Sequence, residues 1–332
     1  MNIYLAPMEG VVDHHMRRIL SRIGGIDVCV TEFVRVTDHL LPRKVFLRYS
    51  PELACNSNKL VSNTGASCPT RVQLLGSNPD AIAENARKVA DYGAPGVDLN
   101  FGCPAKTVNR HRGGACLLNE PKTLAEIVYK TRQAVPDHIP VTAKIRLGYE
   151  QRNTYKENAL AIFEAGANEL VVHARSKADG YKPPAYWDCI GEIRDLISIP
   201  VIANGDIWNL EDYQRCRAQS KCRDIMLGRS LLSTPDLALA IKTFNQGQPY
   251  QWMTWGSIAE LLLQFFTDTS AEYPTKHMGN RVKQWLFYLQ RQYKGAAQLF
   301  EEIKRERDFN VLHCTILQHI EQAHREAQSE QH

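Results

Sequence analysis

Short apolar segments separated by polar stretches recur from the first residue of the chain to about residue 230. Eight of them have the length and flanking residues of buried strands, namely Ile3–Ala6, Val28–Phe33, Val72–Leu75, Val97–Asn100, Val141–Leu147, Leu170–His173, Val201–Ala203 and Ile225–Leu227. Between most of them, apolar side chains recur at helical spacing opposite charged ones, over Asp80–Tyr92, Thr123–Val135, Tyr155–Ala165, Ile190–Ile197 and Leu210–Ala218. This alternation is typical of parallel βαβ units, and eight units predict an α/β fold with a closed (β/α)8 TIM barrel.

The alternative to a barrel is an open, doubly wound sheet. Such a sheet carries a glycine-rich phosphate loop directly after its first strand. Here the first apolar segment ends in Ala-Pro-Met-Glu-Gly, which is not that loop, so the pattern favours the barrel. Between the second and third strands we expect a helix over Thr37–Tyr49 and then a polar loop over residues 57–70, of a length that is often functional at a barrel mouth.

The pattern changes after residue 246, where only helical periodicity remains. It covers Ile258–Thr267, Val282–Tyr293, Ala296–Arg307 and Val311–Ala327. Such a series predicts a small all-α helical bundle. We therefore expect two domains, a catalytic barrel over residues 1–246 and a helical domain over residues 247–332.

Composition excludes several classes of protein. A net charge of +4 in 332 residues does not indicate a nucleic-acid binder by itself, although a local basic patch would be enough. The nine cysteines form no C-x-x-C pair and are scattered, which argues against a zinc or iron–sulfur site and against a disulfide framework. The sequence has no signal peptide and no apolar run as long as a membrane span. We expect a cytoplasmic protein with no metal, no membrane segment and no obligate protein partner.

Polar or charged side chains follow every predicted strand, at the end of the barrel where active sites lie. Eight such groups in register are hard to explain as solvated surface. In strand order they are Pro7, Met8 and Glu9; Thr31, Glu32 and Arg35; Gln73; Asn100 and Cys103; Lys144 and Arg146; His173 and Arg175; Asn204, Gly205 and Asp206; Gly228, Arg229 and Ser230.

The turns after the seventh and eighth strands favour a phosphate site, because glycine-containing turns that lead into helices hold phosphate in many barrels. The phosphate would be bound by the Arg229 guanidinium and by the backbone amides of Gly205, Asp206, Gly228 and Arg229. The alternative is two ordinary turns whose glycines serve the backbone alone. Together with Lys144, His173 and Gln73, the turns suit a mononucleotide cofactor such as FMN, whose ring edge needs hydrogen-bond donors.

Cys103 is the candidate reactive thiol. It lies at a strand end in VDLNFGCP, residues 97–104, where Asp98 and Asn100 face away from the apolar side of the strand. A thiol with a pKa near 8.5 is mostly protonated at neutral pH, so it can serve as an acid. It could instead be a nucleophile; no histidine adjoins it in the sequence, although His173 could approach in space. A buried structural cysteine is the third interpretation.

The blocks LAPMEGVVD, TEFVR, VQLLG, VDLNFGCPAKTVN, AKIRLG, ELVVHAR, VIANGDI and MLGRS follow one another over most of residues 3–245. In this order they resemble the tRNA-dihydrouridine synthases. TEFVR together with the later RVKQWLFYL most resembles the bacterial subfamily that modifies uridine 16. The resemblance implies an FMN-bound barrel reduced by NADPH, hydride transfer to C6 of a uracil in tRNA, protonation of C5 by a cysteine, and a helical tRNA-binding domain.

The resemblance also assigns roles to single residues. The proton donor falls on Cys103. The FMN contacts fall on Pro7, Met8, Glu9, Gln73, Lys144, His173, Asn204, Gly205, Asp206, Gly228 and Arg229. The tRNA contacts fall on Arg35, Asn100, Arg146, Tyr181, Arg281, Lys283, Tyr288 and Lys304. The substrate base must leave its stack to enter a barrel mouth.

Two features limit this resemblance. Arg110-His111-Arg112 stands where related sequences carry a Gly- and Ser-rich turn, and it is either a solvated loop tip or a phosphate contact. Residues 246–332 carry nine Lys and Arg against ten Asp and Glu, so tRNA binding must come from one face, with Glu301, Glu302 and Glu306 pointing elsewhere.

Two other functions share parts of this pattern. An FMN-dependent small-molecule reductase of the dihydroorotate or ene type would use the same cofactor residues but would have no use for the helical domain. A non-catalytic tRNA-binding protein would not need the complete cofactor set or Cys103. The barrel alone does not decide between them.

Overall fold

The computed structural model describes residues 1–54 and 68–329, which form two compact units. The first comprises residues 1–14 and 26–228, and the second comprises residues 15–25 and the chain from residue 229 onward. The predicted boundary at residue 246 falls within the second unit, and the assignment of a function to each domain stays a prediction. None of the helices in the described part of the chain is long and apolar enough to span a membrane.

A parallel sheet in the first unit closes on itself. Its strands within the described residues are β1 (Ile3–Leu5), β2 (Val28–Val30), β3 (Val34–Arg35), β4 (Thr70–Leu75), β5 (Val97–Asn100), β6 (Val141–Arg146), β7 (Glu169–His173), β8 (Val201–Asn204) and β9 (Asp224–Leu227). Their order is β2-β1-β9-β8-β7-β6-β5-β4-β3, and a pairing between β2 and β4 closes the ring. The predicted (β/α)8 barrel is thereby confirmed.

The predicted second strand is interrupted, which corrects the single strand expected over Val28–Phe33. Both β2 and β3 pair with β4, first at Val30↔Arg71 and then at Val34↔Leu74. The chain thus advances four residues on one side and three on the other, as in a β-bulge. The hydroxyl of Thr31 fills the gap by accepting the Gln73 amide at 3.0 Å.

Helices follow most strands, as the periodicity predicts. They are α1 (His14–Ile23), α2 (Arg43–Tyr49), α3 (Pro79–Asp91), α4 (Lys106–Arg110), α5 (Pro121–Ala134), α6 (Tyr155–Glu164), α7 (Trp187–Leu196) and α8 (Leu210–Ser220). Helix α1 was not predicted, and α2 begins six residues later than expected, because Pro42 precedes its first turn. Helix α7 begins at Trp187 and not at the expected Ile190. Of the predicted polar loop, only residues 68–70 are described.

The rest of the second unit is helical and confirms an all-α C-terminal region. Its helices are α9 (Arg229–Ser233), α10 (Leu237–Asn245), α11 (Trp255–Glu272), α12 (Asn280–Leu289), α13 (Lys294–Ile303) and α14 (Phe309–Ser329). Trp285 lies in its core, edge-on to Phe265 at 5.3 Å, and its indole N–H donates to the Leu232 carbonyl at 3.1 Å. The first two of these helices were not predicted.

Strand register sets the polar groups inside the barrel side by side. Gln73, Asp98 and Thr142 are direct cross-strand partners on β4, β5 and β6. Val97 and Leu99, which alternate with the polar residues of β5, are fully buried on its other face. The alternation predicted from the sequence of β5 is therefore confirmed. Its polar residues, Asp98 and Asn100, lie on one face of the strand and lead toward its carboxyl end.

Candidate active site

Cys103 lies in a turn whose backbone is held from several directions. We call Asn100–Pro104 the Cys103 turn. The Asn100 side-chain carbonyl accepts the amides of Gly102 and Cys103 at 3.0 and 2.9 Å. The guanidinium of Arg146 donates to the Gly102 carbonyl at 2.9 Å. Because these bonds satisfy buried backbone groups, they fix where the Cys103 side chain starts.

Asn109 holds the other side of the same turn. Its side-chain amide donates to the carbonyls of Cys103 and Ala105 at 3.0 and 2.7 Å, and its oxygen accepts the Cys116 amide at 2.8 Å. Gly114 packs close by with φ +67°, and a Cβ there would lie 2.8 Å from the Cys103 oxygen. Only the presence of Asn109 and Gly114 near the GCP motif could have drawn attention to them in the sequence.

The Cys103 thiol is poised to remain protonated. The residue is only 9 % exposed, and burial raises its pKa above the ordinary value. Glu9 raises the pKa further, while the Ala105 amide and the charge of Arg146 act in the opposite direction. A thiol with a raised pKa is the form expected of a proton donor and not of a resting thiolate nucleophile.

Lys144 lies at the end of β6 in a second polar arrangement. Its ammonium donates to the Asn204 side-chain oxygen at 2.9 Å, and Asn204 donates to the Met226 carbonyl at 2.8 Å. Burial, together with the charge of Arg146 and against the opposing effect of Asp98, lowers the pKa of Lys144 to about 7. A lysine with this pKa changes charge near neutral pH, so it can respond to the charge of a ligand.

His173 and Tyr181 lie on the same side of the barrel. The His173 ring is edge-on to Tyr181 at 6.2 Å, and the Arg146 guanidinium lies 5.3 Å from the Tyr181 ring. Tyr181 is 53 % exposed, whereas His173 and Arg146 are buried. The structure therefore brings one exposed aromatic ring next to two buried, predicted site residues. Arg146 also donates to the carbonyls of Ser176 and Gly180, at 3.2 and 3.1 Å.

The turn after β8 is built around an ion pair between a buried arginine and a partly buried aspartate, which was not predicted from the sequence. Arg175 is fully buried and pairs with Asp206, and its Nε donates to the Pro184 carbonyl at 3.2 Å. Gly205 adopts φ +118°, and its carbonyl accepts the Trp187 indole N–H at 2.9 Å. The Asp206 carboxylate is thus bound to protein, so a ligand at this turn would meet the backbone.

The remaining predicted residues of the barrel lie at its strand ends. The Met8 carbonyl accepts the Val11 and Val12 amides, and a Cβ on Gly228 would lie 3.6 Å from the Met8 sulfur. Glu9 and Arg35 are exposed. Pro7 is partly exposed beside them in the chain, and Arg229 directly follows Gly228 as the first residue of α9.

The predicted tRNA contacts of the helical unit have partners within the protein. Arg281 donates to Gln284, Lys283 donates to the Glu306 carbonyl, and Lys304 pairs with Glu301. The expectation that Glu301 points away from these cations is therefore wrong, because a lysine three residues along a helix is its natural neighbour. Tyr288 is partly exposed and lies edge-on to Phe287.

The basic loop Arg110-His111-Arg112 is partly explained by an ion pair. Arg112 has φ +58° and donates to both Glu120 oxygens, at 2.8 and 3.0 Å. Both side chains are at least partly exposed, and Arg110 and His111 are exposed as well. The loop is a solvated tip in this structure, and a role in phosphate contact stays a prediction.

A parallel barrel with a buried protonated thiol and a titratable lysine at its strand ends defines a TIM-barrel enzyme. Comparison with known proteins identifies the class further. The dihydrouridine synthase (Dus) family model matches residues 4–327. The chain belongs to the dihydrouridine synthase family, and it is an oxidoreductase.

Individual relatives align with this sequence over nearly its whole length. A tRNA-dihydrouridine(16) synthase of Shewanella oneidensis is 52 % identical over 92 % of this chain and 93 % of that protein. A protein of the same name from Pseudomonas putida is 50 % identical over 93 % of this chain and 94 % of that protein. Histamine dehydrogenase from Rhizobium sp. 4-9 shares the fold, with a TM-score of 0.53 and 16 % identity over 74 % of this chain and 46 % of that chain.

Proposed function

We propose that this protein reduces the C5=C6 bond of uridine 16 in tRNA to 5,6-dihydrouridine, with FMN as bound cofactor and NADPH as reductant. The observation that carries the proposal is the Cys103 thiol, which is buried, held protonated and fixed by its turn at the strand ends. Both relatives described above are named for position 16, which supports the position.

The residues at the strand ends fit a flavin mononucleotide. Lys144 supplies a partly buried donor, which Asn204 orients and which can also donate to a negative or carbonyl group of a ligand. Gly205, with no side chain and φ +118°, leaves its backbone open to close approach. The residues that would hold FMN are Pro7, Met8, Glu9, Gln73, Lys144, His173, Asn204, Gly205, Asp206, Gly228 and Arg229. When bound and reduced, the flavin supplies the hydride for C6.

Cys103 would hold the proton that C5 of uracil receives. Its burial keeps the proton on Sγ until a base with developing negative charge at C5 is present. The resulting thiolate would be stabilised by Arg146 and the Ala105 amide, which both lower the thiol pKa. The turn bonds from Asn100 and Asn109 would keep Sγ in place through the cycle.

Contacts with tRNA would come from exposed groups on both units and from two buried residues beside the Cys103 turn, Asn100 and Arg146. Arg35 and Tyr181 are exposed in the first unit, and Tyr288 and Lys304 are at least partly exposed in the second. Aromatic rings next to cations suit RNA, because unstacked bases pack on rings while phosphates bind cations. Asn100, Arg146, Arg281 and Lys283 complete the proposed set.

The test is reduction of a uridine-16 tRNA transcript by purified protein, with dihydrouridine mapped by mass spectrometry. Cys103→Ala should retain bound flavin and NADPH oxidation but lose roughly 10²–10⁴-fold of the tRNA reduction rate, since general acid catalysis contributes that much. Cys116→Ala, a partly buried thiol on the neighbouring 3₁₀ turn, is the matched control and should keep full activity. A transcript with cytidine at position 16 should remain unmodified.

Two results would contradict the proposal. A protein that stays colourless after incubation with FMN excludes the cofactor assignment. Undiminished dihydrouridine formation by Cys103→Ala removes this thiol from the mechanism.

A further inference from the structure

A continuous chain of hydrogen bonds runs across neighbouring strands inside the barrel and ends at the Cys103 turn. Thr142 and Gln73 each donate to the Asp98 carboxylate at 2.6 Å. Gln73 Oε1 accepts from Asn100 Nδ2 at 2.7 Å. Asn100 Oδ1 in turn accepts the backbone amides of residues 102 and 103. Asp98 is therefore connected to the backbone of the proposed acid through two side-chain amides.

The two ends of this chain fix its direction. An ionised carboxylate only accepts hydrogen bonds, and a backbone N–H only donates them. Gln73 must turn its NH2 toward Asp98 and its carbonyl toward Asn100, and Asn100 must turn its carbonyl toward the turn. If either amide were reversed, two donors or two acceptors would face each other in a buried site. Each amide has one further N–H beyond the bonds of this chain.

A carboxyl group is energetically unfavourable at position 98. Its side chain is 2 % exposed, and burial raises its pKa, while Gln73, Thr142, Arg71 and Lys144 favour the charged form. A buried carboxyl group costs stability unless its partners compensate for the lost water. An apolar residue would fill the same space at lower cost, so the carboxylate serves something other than packing.

We propose that Asp98 is a positioning residue for this enzyme. Its carboxylate sets the amide orientation of Gln73 and Asn100, and through Asn100 it holds the backbone from which the Cys103 thiol projects. Asp98 itself touches neither substrate nor cofactor. The inference rests on the proposed function, in which Cys103 donates the proton.

The first experiment compares Asp98→Ala with Thr142→Val. Both variants remove one hydrogen-bonding side chain from the same carboxylate site, but only the first breaks the link to Gln73. We expect Cys103 in Asp98→Ala to be alkylated faster by iodoacetamide, with a pH profile shifted to lower pH as the turn loosens and the thiol gains water. Thr142→Val should keep the parent profile. Peptide mass spectrometry distinguishes Cys103 from the other cysteines.

Activity gives a second readout. Displacing a catalytic group by about 1 Å can lower the rate roughly 10²-fold. We therefore expect Asp98→Ala to reduce tRNA roughly 10²-fold more slowly than the parent protein. Asp98→Asn retains an oxygen for Gln73 and should fall between Asp98→Ala and the parent. If Asp98→Ala matches Thr142→Val in alkylation profile and in tRNA reduction, the inference is overturned.

If Asp98→Ala does not fold, moving the carboxylate from position 98 to position 73 tests the same hydrogen-bond direction. Gln73→Glu alone sets two carboxylates against each other and should accelerate alkylation of Cys103. Combining it with Asp98→Asn restores the direction, because the carboxylate introduced at position 73 then accepts from both neighbouring amides, and slow alkylation should return. If alkylation of Cys103 stays fast in this double variant, the proposed role of the hydrogen-bond chain is wrong. Alkylation needs no cofactor or tRNA, so it separates this inference from the proposed function, which the Cys103→Ala assay tests by itself.

Discussion

At the scale of single residues, burial favours the neutral form of both an acidic group and a basic group of the site. Water is withdrawn from both Cys103 and Lys144, and in each case the neutral form gains. The thiol therefore keeps its proton at neutral pH, while the ammonium, with a pKa of about 7, gives its proton up readily. One physical effect thus prepares an acid and an adjustable cation.

The pKa of Lys144 predicts a pH-dependent affinity for FMN. Below about pH 7 the side chain is protonated and attracts an anionic ligand; above it the free protein holds a neutral amine, and binding must take up a proton. FMN affinity of the apoprotein should therefore fall as pH rises through and above 7, as measured by quenching of flavin fluorescence. Lys144→Gln should bind more weakly and lose this step, while Lys122→Gln, an exposed lysine of α5, should retain it. Equal pH dependence in all three proteins would contradict the prediction.

The sequence predicted Cys103 and Lys144 because chemistry-bearing residues at strand ends are visible from periodicity alone. It did not predict the Arg175–Asp206 pair or the bonds of Asn109 to the Cys103 turn. Asp206 was expected to contact the cofactor, and its carboxylate faces a partner 31 residues away. Such pairings depend on how loops meet in space, which periodicity does not encode.

At the scale of elements, α12 combines cations with exposed aromatic surface. Arg281 lies near its start with its guanidinium 5.7 Å from the Phe265 ring, and Phe287 is 54 % exposed beside Tyr288. Burial lowers the pKa of Lys283, and Arg307 lowers it further. Arg281 thus supplies the more persistent charge of the two cations, and Phe287 supplies an exposed stacking surface on the same helix.

Combining Arg281→Ala with Lys283→Ala should weaken tRNA binding and flatten its salt dependence. Each phosphate contact contributes roughly 0.7–0.9 of a log–log slope unit. The control is Lys294→Ala with Arg305→Ala, which removes the same charge from exposed positions of the same unit. Binding is measured by filter retention over a salt series, with melting curves to confirm folding. If the two double variants share one slope, α12 does not bind tRNA through these cations.

Most helices of the barrel were predicted from their apolar stripes, but α1 was not, although its stripe is present. In its sequence HHMRRILSRI the buried Met16, Ile19 and Leu20 recur at helical spacing, and polar side chains lie between them. Arg17 is itself fully buried, against the usual preference of its side chain. The break between β2 and β3 was also hidden, since the bulge arises from pairing with β4 and not from any turn residue.

At the scale of the whole molecule, an ion pair between a buried arginine and a partly buried glutamate joins strands of the barrel. Arg71 of β4 donates to both oxygens of Glu169 of β7, at 2.5 and 2.9 Å, and the Tyr4 hydroxyl of β1 donates to the same carboxylate at 3.1 Å. Three strands, no two of which pair with each other, are thereby joined by side chains. Neither the pair nor its partner strands could be identified from sequence spacing.

Glu169→Ala should lower the free energy of unfolding by roughly 3–5 kcal/mol, because it leaves a buried guanidinium without its partner. Urea denaturation measures the loss. Glu192→Ala, which breaks the surface pair with Lys156, is the matched control and should cost less than about 1 kcal/mol. Replacing both partners, Arg71→Met with Glu169→Leu, should recover much of the stability. A loss for Glu169→Ala no larger than the control would show that the pair is not structurally important.

The assignment of α1 to the second unit has a consequence for how the protein is made. Arg18 pairs with Asp268 of α11, and a Cβ on Gly25 would lie 2.4 Å from the Ala238 backbone, so the helix packs against segments translated long after it. At roughly 5–20 residues per second, the ribosome needs on the order of 10–40 s to extend the chain from α1 to α10. Until then the apolar side chains of α1 lack the surface that covers them, and a nascent chain stopped at the end of β9 would present them to chaperones.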